Sequence, residues 1–277
     1  SDVYKRQVVL VVAAYQISAG TIKKYSQNLL QSSVENQASQ IEAWLNENLA
    51  SFQMAKTIIE DLKPSDEELK TILDGYYGYN SNYPEGLYVA DSTGQLITAS
   101  ESTKKESDVT NSTWYKEGLT RVNMAVGSAY QNADGVNVIS ASGILNDGSD
   151  KVRVISADMT LDRIAIIVNS FIEMNDAEAF LVDKTSGVIL ANRDSSLISQ
   201  TLGAEGQSHF YQLTAEKAAE KDYNFATLDG NMTVFQEVDG TNWLLISYIP
   251  TSIVLSDLTQ LRNIMIVISV ISVSYTH

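Results

Sequence analysis

Two segments of this sequence repeat each other, and the repeat limits the possible folds more than any other feature. The first runs from Leu87 to Ala99 (LYVADSTGQLITA), and the second runs from Ala179 to Ala191 (AFLVDKTSGVILA). In both, two short β-type runs enclose a polar turn that begins with Asp and ends with Gly, which is typical of a hairpin. The repeat predicts two similar modules in a row. Chance similarity of two hairpins is the alternative.

The segments that follow the two hairpins also come in the same order. Residues 137–142 and 152–157 form a pair of β-type runs after the first hairpin, and residues 233–238 and 243–248 take the same places after the second. Between the copies, apolar residues return to helical spacing at Leu161, Ile164, Ala165, Val168 and Ile172. Each predicted module is therefore a small antiparallel α/β unit.

A long helix is expected ahead of the modules, because residues 22–62 contain neither glycine nor proline. At 1.5 Å per residue it would extend about 60 Å, which suits a stalk. Its apolar residues recur every three or four positions and form one stripe: Val34, Ala38, Ile41, Leu45, Leu49, Phe52, Ala55, Ile59 and Leu62. Since one module cannot cover a stripe of that length, the pattern predicts a homodimer through the stalk helix. Pro64 ends the helix, and Ser65 begins a short second one.

Both ends of the chain carry an apolar run, at Val8–Ala14 and at Ile264–Val273. A membrane-spanning helix needs about 20 apolar residues, so neither run spans a bilayer by itself. We interpret them as truncated transmembrane helices, which would tether the chain to a membrane through both termini. Two buried helices of a soluble protein, or a signal-peptide core at the first run, are the alternatives.

The charge and the residue inventory argue against several function classes. A formal net charge of −15 disfavours nucleic acid as a partner, because affinity for phosphates comes largely from Lys and Arg. The chain has no cysteine and only two histidines, His209 and His277, which leaves little to build a metal site or a nucleophile–base pair. It also lacks a Gly-rich phosphate loop and a Gly-x-Ser-x-Gly elbow. We therefore expect no cofactor, no metal and no enzymatic activity, although a hydrolase that uses two carboxylates stays open.

A few local motifs resemble a known family. The pair Trp114-Tyr115 in TWYKEG precedes Tyr130 in GSAYQN, and Asp158 follows in SADMTLD. Together with the long helix and the two modules, these motifs resemble the double Cache (dCache) extracytoplasmic sensor domain of bacterial transmembrane receptors, over about residues 20–260. The resemblance implies an α+β fold in which a long N-terminal stalk helix carries two sequential PAS-like antiparallel α/β modules, flanked by truncated transmembrane helices.

The same resemblance implies a domain organisation. Its predicted parts are a truncated transmembrane helix (1–19), the stalk and short second helix (20–74), a membrane-distal, ligand-binding module (75–172), a membrane-proximal module (173–252), and an exit helix with a second truncated transmembrane helix (253–277).

Candidate binding residues follow from the family members that bind amino acids. In those proteins an arginine two residues before the Trp binds the ligand carboxylate, the Trp-Tyr pair and a later Tyr line the pocket, and aspartates bind the ammonium group. This sequence is similar at Trp114, Tyr115, Tyr130 and Asp158. It differs at Ser112, which stands in place of the arginine, and at Asn132, which stands in place of an aspartate.

The two differences bear on the ligand. A buried carboxylate needs a charge-assisted partner, which serine cannot supply, whereas Asp158 and the aromatic faces could still hold a cation. The predicted ligand is therefore small and polar or amine-bearing, with a plain α-amino acid less favoured. Structural roles stay open: core packing for Trp114 and Tyr115, strand packing for Tyr130, and an N-cap near Leu161 for Asp158.

The resemblance implies the sensing domain of a receptor in the cell membrane, with the domain itself extracytoplasmic. A methyl-accepting chemotaxis protein is the first expectation, and the sensor region of a histidine kinase or a diguanylate cyclase would share this exterior. Different classes of function that stay open are a membrane-anchored binding protein without signalling and an extracytoplasmic hydrolase.

Overall fold

A computed structural model describes residues 2–132, 135–170, 174 and 176–276. The helices are α1 (Asp2–Leu62), α2 (Asp66–Asp74), α3 (Thr113–Gly118), α4 (Asp162–Val168), α5 (His209–Glu220), α6 (Thr251–Val254) and α7 (Ser256–Thr276). The strands are β1 (Leu87–Asp91), β2 (Leu96–Ile97), β3 (Ala125–Gln131), β4 (Asn137–Leu145), β5 (Arg153–Thr160), β6 (Glu178–Asp183), β7 (Ile189–Asn192), β8 (Ala226–Leu228), β9 (Asn231–Val238) and β10 (Trp243–Pro250). Ile172 and the predicted module boundary at 172 and 173 lie outside the described residues.

Within the described residues, ten strands form two antiparallel five-stranded sheets of identical topology. The first sheet has the order β2-β1-β5-β4-β3, and the second has the order β7-β6-β10-β9-β8. In both modules a hairpin, a helical segment and three further strands follow one another along the chain, and the last strand pairs with the first. The predicted α+β fold, with a long N-terminal helix and two repeated modules, is confirmed.

The long helix α1 packs against both sheets. Of the nine predicted stripe residues, seven are buried, Leu49 is partly buried, and Leu62, the last residue of α1, is 63% exposed. The buried ones share a single hydrophobic cluster with strand residues of both sheets, including Ile155 and Leu245. The stripe is thus covered by the chain's own modules. Contrary to the expectation, the stripe needs no second copy of the chain to bury it, because two modules and not one cover the helix.

Alternation along the strands gives each sheet two different faces. In β1, Leu87 and Val89 point towards α1, whereas Tyr88 and Ala90 belong to a separate cluster that includes Trp114. We call the side of the first sheet that carries Tyr88 its outer face. Side chains on this face are not needed to hold α1 and are available for a binding site.

The turns and caps follow the local chemistry of the sequence. Helix α2 begins with a capping box, in which the Ser65 hydroxyl accepts from the Glu68 amide and the Glu68 carboxylate accepts from the Ser65 amide. The two hairpin turns are each closed by their first residue: Asp91 accepts from the Thr93 amide, and Asp183 accepts from the Thr185 amide. The repeated Asp therefore has the same turn-forming role in both modules.

The two terminal helices meet at one end of the molecule. The guanidinium of Arg262 on α7 lies 5.0 Å from the ring centre of Tyr15 on α1. Within the part of the chain that the structure describes, no helix contains a segment both long enough and apolar enough to cross a bilayer.

Candidate functional site

The outer face of the first sheet carries a buried carboxylate, Asp158, in the middle of β5. Its Oδ1 atom accepts hydrogen bonds from the hydroxyls of Tyr88 (2.5 Å), Ser140 (2.5 Å) and Tyr130 (3.0 Å). Strand register explains the cluster. Ser140 on β4 lies directly opposite Asp158. Tyr130 on β3 pairs with Val138, which lies two residues before Ser140 on the same strand β4. Hydroxyls from three strands, β1, β3 and β4, thus converge on a single carboxylate oxygen of β5.

Burial keeps the two tyrosines in their donating form. Burial, followed by the negative charge of Asp158, raises the pKa of Tyr88 and the pKa of Tyr130 well above their ordinary values. Both phenols therefore hold their protons at any physiological pH. Ser140 donates to Asp158, so the single proton of Tyr130 serves either the Ser140 oxygen, at 2.9 Å, or the carboxylate.

The second oxygen of Asp158 contacts an ammonium group. Lys104 Nζ lies 2.6 Å from Asp158 Oδ2, and both side chains are only 9% exposed. The same ammonium lies 4.1 Å from the centre of the Tyr88 ring, within range of a cation–π contact. Among the described residues, Lys104 is the only hydrogen-bond donor to this oxygen. The site therefore contains a cation position formed by Asp158 and an aromatic face.

The aromatic pair on α3 packs beside this cation position. Trp114 is fully buried, and its ring meets Tyr88 edge-on with the ring centres 4.9 Å apart. Tyr115 packs edge-on against Trp114 at 5.8 Å. The indole N–H of Trp114 donates to Glu106 Oε2 at 2.8 Å. Burial and then the charge of Asp91 raise the pKa of Tyr115, so this phenol also keeps its proton at neutral pH.

Only part of the predicted site comes together around Asp158. Tyr130 contacts it directly, and Trp114 and Tyr115 are linked to it through Tyr88. Ser112 is the residue before α3, and its hydroxyl donates to the carbonyl of Val109 at 2.6 Å. Asn132 closes the turn after β3, where its side-chain oxygen accepts from the Val136 amide at 2.9 Å.

The suggested N-cap role of Asp158 is not found. Helix α4 begins at Asp162, its N-cap is Leu161, and no side chain caps it. Asp158 lies within β5, and its carboxylate is engaged on the sheet. The position four residues ahead of the helix is too early for a cap.

Four residues at the site were not predicted from the sequence: Tyr88, Lys104, Glu106 and Ser140. The signal for Tyr88 was present, because the repeat aligns it with Phe180 and only one of the two copies has a hydroxyl there. Ser140 could have been found by pairing the two predicted strands around their hairpin. Lys104 and Glu106 belong to an irregular segment, for which the sequence carries no pattern.

In the second module, the position equivalent to Asp158 carries an aromatic residue in place of the carboxylate. Asp158 lies two residues after Ser156, the partner of Tyr88, whereas Tyr248 lies two residues after Ile246, the partner of Phe180. Tyr248 therefore occupies the place of Asp158. Its ring packs 4.4 Å from that of Phe210 on α5, within an apolar cluster that also contains Phe180, and its hydroxyl donates to Glu178. Aromatic side chains fill the space that is polar in the first module.

Residues 14–258 match the family model of the Cache domain, in its double form dCache_1. The chain belongs to the double Cache family. The match covers both modules of this Cache domain and most of α1. A search of curated protein sequences finds no match. Among the described residues, no group of His, Cys, Asp or Glu side chains is arranged to hold a metal ion.

Solved structures with the same fold are ligand-binding domains, several of them from chemoreceptors. The ligand-binding domain of Mlp24 with asparagine superposes with a TM-score of 0.69 at 17% identity, covering 87% of this chain and 98% of that one. The domain of the Pseudomonas fluorescens chemoreceptor CtaA with L-isoleucine gives 0.67 at 20% identity, covering 86% and 98%. The domain of the Pseudomonas aeruginosa chemoreceptor PctC with GABA gives 0.62 at 19% identity, covering 81% and 99%. At these identities the similarity establishes the fold.

Proposed function

We propose that this Cache domain is the extracytoplasmic, small-ligand-sensing part of a bacterial transmembrane receptor. The observation that supports this most strongly is the arrangement around Asp158. One carboxylate oxygen accepts from three hydroxyls, and the other meets, among the described residues, only the ammonium group of Lys104. A buried carboxylate beside an aromatic face selects for a cation, so the ligand should carry an amine.

The solved relatives support the same ligand class. Asparagine, L-isoleucine and GABA, the ligands named for three of them, each carry an amine together with a carboxylate. We therefore place the ligand among small amine-bearing polar molecules, with amino acids as members of that class. Trp114, Tyr115, Tyr130 and Asp158 are the proposed contacts, with Tyr88 added. Ser112 and Asn132, whose side chains close local turns, contribute at most the rim.

We further propose that the receptor is a methyl-accepting chemotaxis protein, because the similar solved domains include several from chemoreceptors. The sequence that follows residue 277 in the gene tests this. A HAMP segment with long helical heptads would support it, and a histidine kinase or cyclase domain would contradict it.

The binding proposal is tested by calorimetry against a panel of amino acids and simple amines. The Asp158→Asn variant should lose at least about tenfold in affinity for the ligand found, because a neutral amide no longer attracts an ammonium group. Glu101→Gln, at an exposed carboxylate of the same module, is the matched control and should bind normally. Unchanged binding by Asp158→Asn, with the fold intact by circular dichroism, would refute the site.

The membrane topology is a separate proposal. We infer that segments 8–14 and 264–273 belong to membrane helices, which is supported by the packing of α1 on α7 at that end. Because residues 1–277 contain no cysteine, an engineered cysteine is the only thiol in this part of the receptor. In the full-length receptor in intact cells, the exposed Glu205→Cys should react with a membrane-impermeant maleimide. Reaction only after lysis would overturn the extracytoplasmic assignment.

A further inference from the structure

A short irregular segment lies over the Asp158 site. We call residues 102–108, between β2 and the single-turn helix Val109–Asn111, the strap. Its first part has no helix or strand structure, and burial alternates along it, with Ser102, Lys104 and Glu106 partly buried and the residues between them exposed. The strap therefore presents alternate side chains to the outer face of the sheet.

The two charged side chains that point inwards contact two of the proposed binding residues. The Lys104 ammonium lies 2.6 Å from Asp158 Oδ2, and Glu106 Oε2 accepts from the indole N–H of Trp114 at 2.8 Å. The strap thus carries an ammonium group held by an aspartate and, two residues later, a carboxylate held by a tryptophan N–H. These are the two charged groups of a zwitterionic ligand.

Side chains, and not backbone hydrogen bonds, hold the inward part of the strap. Its root is fixed by Glu85, whose carboxylate accepts from the Ser102 hydroxyl and the Thr103 amide. Beyond this root, the amide N–H groups of residues 105–108 have no hydrogen-bond partner within the described part of the chain. Releasing Lys104 and Glu106 would therefore break no regular secondary structure, so the strap can leave the face at modest cost.

We propose that the strap is a tethered mimic of a zwitterionic ligand and competes with that ligand for the Asp158 site. The inference rests on the proposed function, since it assigns the same site to a molecule with both an amine and a carboxylate. Asp158 Oδ2 contacts no other donor among the described residues, so an incoming amine must take the place of Lys104. Binding then frees the strap, which couples occupancy of the site to a change on the surface of the first module.

Competition of this kind sets the apparent affinity. A tethered group acts at an effective concentration in the millimolar range, so even a weak contact can keep the strap on the site most of the time. If the strap is engaged nine-tenths of the time, only about one site in ten is open, and the apparent affinity for the ligand falls about tenfold. A molecule with an amine alone would displace only Lys104 and leave Glu106 in place. The strap therefore favours ligands that replace both of its charges.

The test measures binding of GABA, L-isoleucine and L-asparagine by calorimetry to the wild type and to the double variant Lys104→Gln/Glu106→Gln. The double variant should bind at least one of these probes about tenfold more tightly. Lys105→Gln is the matched control, because Lys105 is the exposed neighbour in the strap, and its affinity should equal that of the wild type.

The outcomes separate this inference from the proposed function. If Asp158→Asn abolishes binding but the double variant binds no more tightly than the wild type, the strap does not compete with the ligand. It would then either contact the ligand or have no part in binding. Absence of binding by every variant to all three zwitterions would overturn the inference, and absence of binding to any panel amine would also overturn the proposed function.

A second measurement follows the strap directly, first in the absence of ligand and then with GABA. In a pulse of amine acetylation read by mass spectrometry, Lys104 should react several-fold more slowly than Lys105, because its ammonium is buried against Asp158. Asp158→Asn should raise the rate at Lys104 towards that of Lys105, and saturating GABA should do the same if GABA displaces the strap. Equal rates at the two lysines in the wild type would refute the engaged strap.

Discussion

Asp91, the last residue of β1, holds the turn of the first hairpin through its carboxylate. Its Oδ1 accepts from the amides of Thr93 at 2.8 Å and Gln95 at 3.1 Å, and its Oδ2 lies 2.5 Å from Lys151 Nζ. Burial by itself raises the pKa of Asp91. The hydrogen bonds from Lys151, Thr93 and Gln95 outweigh that effect and lower the pKa to about 2.

The depressed pKa predicts a specific pH dependence of stability. The folded state holds the ionised form of Asp91 more strongly than the unfolded chain does. The contribution is therefore present at neutral pH and is lost as the pH falls from about 4 to about 2. It amounts to at most about 2 kcal/mol, since Lys151 is partly exposed.

The measurement compares urea unfolding of the wild type and Asp91→Asn at neutral and acidic pH. Asp91→Asn should be the less stable protein at pH 7, and the difference in unfolding free energy should shrink towards pH 2. A difference that stays constant over this range would show that the charge of Asp91 contributes nothing.

The residues of the site show what the sequence could and could not predict. Asp158, Tyr130 and the Trp114-Tyr115 pair were found from a motif and do lie together, because strand register and a short helix bring motif residues close. Tyr88 was accessible through comparison of the two repeats. Lys104 could not be predicted, because its partner Asp158 lies 54 residues away in sequence and the strap has no regular secondary structure from which its position follows.

At the scale of single elements, α3 depends on a close approach to the sheet. Gly118, its last residue, lies against β4 and β5. A methyl group in its place would come within 2.3 Å of Val154 Cγ1 and 3.2 Å of Ser142 Cβ. Because α3 also carries Trp114 and Tyr115, this contact sets how closely the aromatic pair packs on the outer face.

Two glycine-to-alanine substitutions should therefore act in opposite directions. Gly118→Ala should destabilise the protein by about 1–3 kcal/mol through overpacking. Gly20→Ala in α1, where nothing apart from the adjoining helix backbone lies within 4 Å of the new methyl group, should stabilise it by up to about 1 kcal/mol through helix propensity. Chemical denaturation measures both. An equal effect of the two substitutions would show that the contact at Gly118 is loose.

The sequence predicted those elements that have a strong period. Helix α1 and the strands β1, β4, β5, β6, β9 and β10 carry regular apolar patterns and were all anticipated. The edge strands β3 and β8 were not, because their residues are mostly half-buried or exposed and lack a clear alternation. The predicted first helix (1–19) and the stalk form one continuous helix, because α1 runs without a break through Gly20.

At the scale of the whole molecule, the exposed side of α1, and not its buried stripe, is the surface through which two copies of the chain could associate. Met54, Ile58 and Leu62 are exposed, and their spacing of four places them on one side of the helix. We retain the predicted homodimer through the stalk helix, now on this second set of residues. Apolar side chains of this size on a regular helix can pair with those of a second helix.

Sedimentation velocity over a range of concentrations tests the dimer. The wild type should associate at high concentration, and Met54→Glu/Ile58→Glu should remain monomeric, because charges would be buried in the contact. Val122→Glu, at an apolar residue exposed elsewhere, is the matched control. A wild type that stays monomeric throughout would refute pairing along this side of α1.

The position of α1 beneath both sheets also has a consequence for how the chain acquires its structure. The Asp239 amide donates to Glu42 on α1 across 197 residues of sequence, and β9 and β10 complete the cover of that part of the helix. During synthesis, this half of α1 leaves the ribosome long before the strands that will shield it exist. The apolar surface of α1 therefore remains exposed, or bound by chaperones, until β9 and β10 have been synthesised. Folding should be slow, and the incompletely covered chain should be prone to aggregation until these strands dock.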